Sequence, residues 1–264
     1  MSRPTFDRMK RVRRPGTELP RLKEPTHQRV SVAALASAPA AASAGPAGGS
    51  PGLAAGSPIA PLRRRGLPPL VLASASPRRT ELLAQLGLRF RVAPARVTEV
   101  LASHLSPREL SLLNAGRKAR AAARRFPNAL ILAADTLVCL GVRQFGKPAT
   151  RAAAARTLAA LAGHTHQVVT GVCLLHPRTG RETLFAETTD VTFRRLSPAR
   201  IRAYLAAVNP LDKAGAYAIQ EQGHLIIARI HGSYTNVVGL PLERLRAALA
   251  AWPTAGTRAH RRRT

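Results

Sequence analysis

The 264-residue chain carries 41 basic against 13 acidic residues, a net charge of +28, and only 4% of its residues are aromatic. That length holds one large domain or two small ones, and a charge of this sign favours anionic partners such as nucleotides, polyphosphates, nucleic acid or anionic lipid. No apolar stretch reaches the ~18 residues of a membrane-spanning helix, and Cys139 and Cys173, each inside an apolar strand-like run, read as buried free thiols rather than a disulfide or a metal pair.

Residues 1–66 hold 12 basic and 3 acidic residues, or +9, and residues 253–264 add four arginines. Within 1–66, the stretch 31–62 is Ala/Pro/Gly/Ser low complexity with few large apolar residues, so the whole segment is expected to be a disordered basic extension. It loosely imitates an export signal, but its apolar part is weak and broken by Pro39, so a cytoplasmic location is expected. Core-like patterning fills 67–252, with 25 basic and 10 acidic residues, and 253–264 is a basic tail. The excess of Arg over Lys is partly a codon effect, since only five lysines occur.

From Leu70 the elements follow in order. "LVLAS" is a short buried strand. Ser76 is a helix N-cap with Pro77 at the first helical position, Leu82, Leu83 and Leu86 on one face, and Gly87 as the stop. "RFRVAP" is a second strand, and "SPREL" opens a helix through a Ser106–Glu109 capping box. "ALILAADTLVCL" is a long buried strand, "GVRQFGKP" a turn, and Thr150 caps an Ala-rich helix. "HQVVTGVCLL" and "ETLFAETTDVTFRRL" form a hairpin around "HPRTG". A helix follows Ser197, then strands at "AYAIQ" and "HLIIARI", then a closing helix "PLERLRAALAAW". This alternation predicts an α/β fold with a mixed sheet flanked by helices.

The stretch "LASASPRRTELL" places hydroxyls and paired guanidinium groups at a helix start, where free backbone N–H groups and the dipole favour an anion. An ordinary capped helix with exposed arginines would read the same way. Lys118 and Lys147 stand out in an Arg-rich chain, the second in a tight "FGKP" turn. Asp135 lies in an apolar run, where an ionised carboxylate needs a partner or a function. Glu99 is a second acid, and two acids meeting in space could hold Mg²⁺ against a phosphate. His164 and His166 lack the companions a zinc site needs. Asp212 and Lys213 are either an ion pair within a loop or part of the cleft. No P-loop and no GxGxxG occurs.

Taken together, "LASASPRRTELL", Glu99, "RKARA", "AADTLV", "GKP", "LAGHTHQVVTGV", "DVTFRRLS", "PLDKAGAYAIQ" and "GSYTNVVGLPL" resemble the Maf family of nucleoside triphosphate pyrophosphatases over residues 69–245. The resemblance implies an elongated α/β fold with a central cleft, akin to inosine-triphosphate pyrophosphatases, and often a homodimer. It implies hydrolysis between the α- and β-phosphates of a nucleoside triphosphate, with Mg²⁺ or Mn²⁺. It implies Asp135 as proton acceptor, Ser76, Arg78, Arg79, Lys118 and Lys147 as phosphate contacts, and Glu99 with Asp135 as metal ligands. Arg78, Thr136 and Gln220 match the subgroup acting on dTTP and UTP. Two departures are Glu221, where Gly usually follows "IQ", and Asn114 with Gly116, which interrupt the helix before Lys118. The alternatives are a purine or 7-methyl-GTP pyrophosphatase of the same fold and a basic, non-enzymatic regulator of cell division. No recognisable nucleic-acid module supports the latter.

Overall fold

In the computed structural model, which describes residues 59–62, 66–100, 102 and 104–253, a mixed sheet of seven strands forms around two long central strands. The strands are β1 (Leu70–Leu72), β2 (Phe90–Val92), β3 (Leu130–Leu140), β4 (Arg143–Phe145), β5 (Thr165–His176), β6 (Arg181–Phe193) and β7 (Ile227–His231). Their order is β2-β1-β3-β5-β6-β7, with β4 paired to β3. β1 runs parallel to β2 and β3, and all the other pairs are antiparallel.

The helices start where capping chemistry places them. Ser76, Ser106, Thr150 and Ser197 cap α1 (Pro77–Gln85), α2 (Pro107–Ala123), α3 (Arg151–Leu161) and α4 (Pro198–Ala207), and each side chain accepts from the backbone N–H three residues on. The Ser106–Glu109 capping box is complete. Three further helices follow: α5 (Gly223–Ile226), α6 (Tyr234–Val238) and α7 (Leu242–Ala251). Among the described residues no helix is long and apolar enough to cross a membrane.

Period-two alternation sorts the side chains onto two faces. Leu70, Leu72, Leu130, Leu132 and Ala134 join the larger core, with Leu82 and Leu83 of α1, Leu158 of α3, Tyr204 of α4 and Leu245 of α7. Val71, Ala73, Ile131, Ala133 and Cys173 form a second core against Ala115, Ala119 and Ala122 of α2. Cys139 and Cys173 are free and buried, in agreement with the expectation from their sequence setting.

Three expectations about local structure change. "AYAIQ" is no strand: the chain turns at Gly215 (φ 71°) and Ala216 (φ 62°), and the apolar residues are buried in a loop. "HLIIARI" divides into α5 and β7, and the "GVRQFGKP" turn contains β4. Of the expected extension, 1–58 and 63–65 lie outside the described residues, as do 254–264 of the tail. Ile59 and Leu62 pack on the larger core, and the Leu62 N–H donates to the Leu86 carbonyl at 2.9 Å. The packed chain therefore begins ahead of Leu67.

Candidate active site

The site grows from a notch in the sheet. β1 accompanies β3 only as far as Leu132, with the Ala73 N–H still reaching the Leu132 carbonyl at 2.8 Å, and β4 takes up that side again at Val138. Between them, residues 134–137 of β3 meet no strand on that side among the described residues. Asp135 and Thr136 sit in this gap, and strand alternation sends their side chains to opposite faces.

Asp135 shares its face with Ile131 and Ala133, under α2, and is only 2% exposed. Lys118 of α2 brings its ammonium 2.5 Å from Asp135 Oδ1 and 2.6 Å from Glu99 Oε1. Asn114, one helical turn before Lys118, donates to Asp135 Oδ2 at 3.4 Å. The same Asn114 amide accepts from the Val100 N–H at 2.9 Å and donates to the Val100 carbonyl at 3.2 Å, which pins the strand of chain bearing Glu99. Asn114 is therefore the site residue that sequence reasoning read as a helix interruption. The signal was its spacing: a polar amide four residues before Lys118 lies on the same helix face.

α2 can approach this closely because of Gly171, the cross-strand partner of Asp135. A Cβ there would lie 2.5 Å from the Ser111 carbonyl oxygen and 2.6 Å from the Leu112 nitrogen. The helix backbone rests directly on the strand at that point.

Thr136 faces the other way, toward α1. The Arg79 guanidinium donates to Thr136 Oγ1 at 2.8 Å, to Ser74 Oγ at 3.3 Å and to the Gly239 carbonyl at 2.8 Å. Thr136 and Thr170 hydroxyls meet at 3.0 Å, and Thr170 donates to the Asn236 carbonyl. Arg79 thus ties α1 to β3 and to the α6 turn. Ser76 is occupied as the N-cap, accepting from the Arg79 N–H at 3.4 Å. Arg78 pairs with Asp212 at 2.8 Å. Lys147 is exposed and makes no ion pair or hydrogen bond among the described residues, yet its charge acts on Glu99. Gln220 is exposed next to Glu221, which pairs with Lys213 at 3.2 Å.

The two carboxylates are driven apart in acidity. Burial raises the Asp135 pKa above its ordinary value, and the Glu99 charge adds to this against the opposing pull of Lys118 and Arg79. Burial also acts to raise Glu99, but the hydrogen bond and charge of Lys118, with Lys147, overrule it and hold Glu99 below its usual value. Among the described residues no three His, Cys, Asp or Glu side chains cluster as a metal cage. Glu99 and Asp135 do converge on one cation position, that of the Lys118 ammonium. Two hard oxygen donors fit a divalent ion that keeps waters and shares phosphate oxygens. His166 is buried, its Nε2 is 2.8 Å from the Tyr217 hydroxyl, and burial pushes its pKa down to about 4.

Cations near a sheet notch, with one buried carboxylate among them, suit a phosphate chain and an attacking water, features that fit an α/β phosphohydrolase. Comparison with known proteins narrows that class: residues 69–252 match the Maf-like protein family, and the chain belongs to it. It is 52% identical over 181 residues to a dTTP/UTP pyrophosphatase of Moorella thermoacetica, covering 69% of this chain and 93% of that protein. Against the dTTP/UTP pyrophosphatase of Koribacter versatilis it is 46% identical over 176 residues, 67% of this chain and 90% of the other. For that of Symbiobacterium thermophilum the values are 49% over 176 residues, 66% and 89%.

Proposed function

We propose that this chain is a nucleoside triphosphate pyrophosphatase acting on dTTP and UTP. Water adds at the α-phosphorus, the α–β anhydride bond breaks, and nucleoside monophosphate and pyrophosphate leave. The observation that carries this reading is the buried Asp135–Lys118–Glu99 group beside the Arg79-bearing helix start, in a chain whose relatives are dTTP/UTP pyrophosphatases. Asp135 takes the proton of the attacking water or orients it. Lys118, Lys147, Arg78, Arg79 and the Ser76 turn receive the triphosphate, whose negative charge competes with the carboxylates for the Lys118 ammonium. Glu99 and Asp135 would hold a divalent cation, Mg²⁺ or Mn²⁺, which when bound neutralises phosphate charge. Arg78, Thr136 and Gln220 select the base. The imide edge of uracil or thymine offers one N–H between two carbonyls, and a glutamine amide matches it with paired hydrogen bonds. Buried free thiols suit the reducing cytoplasm.

The test is pyrophosphate release from UTP, dTTP, CTP, GTP and 7-methyl-GTP with Mg²⁺ or Mn²⁺. UTP and dTTP are expected to exceed the others in kcat/KM by about tenfold or more, the cost of leaving a polar group unpaired. Preference for a purine, or release of orthophosphate in place of pyrophosphate, would refute the reading.

A further inference from the structure

Lys213 is 5% exposed, in a protein whose other described lysines lie nearer the surface. Its ammonium has three donors, and three acceptors surround it: the Asn209 carbonyl at 2.7 Å, Asp212 Oδ1 at 2.9 Å and Glu221 Oε1 at 3.2 Å. The second oxygen of Asp212 takes Arg78 Nη1 at 2.8 Å, and the Asp212 carbonyl takes Arg78 Nη2 at 3.3 Å. One line of alternating charge thus runs Arg78–Asp212–Lys213–Glu221, and Glu221 is the chain neighbour of Gln220. The loop is fixed around it. The Lys213 N–H reaches the Pro210 carbonyl at 3.2 Å, and the Ala216 N–H reaches the Lys213 carbonyl at 3.1 Å. The Gly215 N–H reaches the Gly146 carbonyl at 3.3 Å, next to Lys147.

We infer that Lys213 is a positioning residue for substrate selection, the buried charge that sets the distance between Arg78 and Gln220. The inference rests on the proposed function, which gives those two side chains the base end of the nucleotide. Arg78 enters from the start of α1 and Gln220 from the loop before α5, two segments far apart in the chain. Lys213 reaches the first through Asp212 and the second through Glu221. Glu221 thereby acquires a role: it supplies the third oxygen around the buried ammonium. Without Lys213, Asp212 and Glu221 would face each other as like charges, and the two arms would separate. Asp135, Lys118 and Glu99 belong to a different group of contacts and keep theirs. Loss of Lys213 is therefore felt in binding and selection, and much less in the chemical step.

The experiment measures kcat and KM of the full chain for UTP, dTTP and CTP in wild type, Lys213→Met and Glu221→Gln, with melting temperatures alongside. Methionine keeps the apolar stem and removes the charge. In Lys213→Met, KM for UTP is expected to rise about tenfold and the UTP:CTP ratio of kcat/KM to fall at least about fivefold, with kcat within about threefold. A residue that only stabilises its loop would lower the melting temperature and the active fraction equally for every nucleotide, leaving KM and the ratio in place, and that result overturns the inference. Should Lys213→Met fail to fold, Glu221→Gln decides. It keeps shape and one acceptor, and its UTP:CTP ratio is expected to fall by about threefold or more. An unchanged ratio in the folded glutamine variant overturns the inference as well. A wild type that turns over UTP, dTTP and CTP alike refutes the proposed function and the inference with it. A selective wild type whose selectivity survives both substitutions refutes the inference alone.

Discussion

Asp135 was legible in sequence because an acid in an apolar strand is costly to bury without cause. Its surroundings raise its pKa, chiefly by burial, and the ionised form is the one that accepts a proton. If Asp135 is that acceptor, kcat/KM is expected to fall as pH drops, through a midpoint above the ordinary aspartate value of about 3.9. Lys118 opposes the upward shift, so Lys118→Met is expected to move that acid limb to still higher pH while lowering activity. Asp135→Asn removes the proposed proton acceptor and should cut kcat by about a hundredfold or more with an unchanged circular dichroism spectrum. Near-normal turnover in the folded asparagine variant would take Asp135 out of the chemistry. Asn114 was not legible in the same way. Periodicity treats a polar residue in a helix as a flaw, and only the packed structure shows that the amide faces Asp135 and Val100.

Among the elements, α2 on β5 carries the tightest constraint. At Gly171 any side chain meets backbone rather than a movable side-chain end. Gly171→Ala is expected to lift α2, cost about 1–3 kcal/mol of stability as overpacking does, and lose activity because Asn114 and Lys118 ride on that helix. Thermal melts and pyrophosphate release on the same preparation test both halves, and a variant as stable and active as wild type would show that α2 does not depend on this contact. The helices and long strands were readable from caps and alternation because local chemistry and tertiary packing agree there. "AYAIQ" misled because its apolar residues are buried without a ladder. Tyr217 reaches His166, and the Tyr204 hydroxyl holds both the N–H and the carbonyl of Ala218. β4 escaped notice because three residues within a turn-rich stretch are too few to show a period.

For the molecule as a whole, the packing of residues 59–62 on the larger core bears on stability. Leu62 is bonded to the far end of α1, away from the Ser76 turn, and Ile59 packs on the same core. A chain beginning at Leu67 loses that apolar cover and the Leu62–Leu86 hydrogen bond. It should melt about 4–8 °C lower, corresponding to about 2 kcal/mol, with turnover of free UTP unchanged. An equal melting temperature would mean that Ile59–Leu62 contributes nothing to stability, and a fall in turnover would place that segment in the site. The two thiols supply a way to watch the same event from within. Cys139 lies on β3 and Cys173 on β5, the two central strands, and burial pushes both thiols above their ordinary pKa. A thiol must be exposed and ionised to react, so alkylation of the native protein has to wait until the sheet itself comes apart. The labelling rate then reads the frequency of whole-domain opening, with no added probe and no substituted residue, and a nucleotide that binds the folded state should slow it.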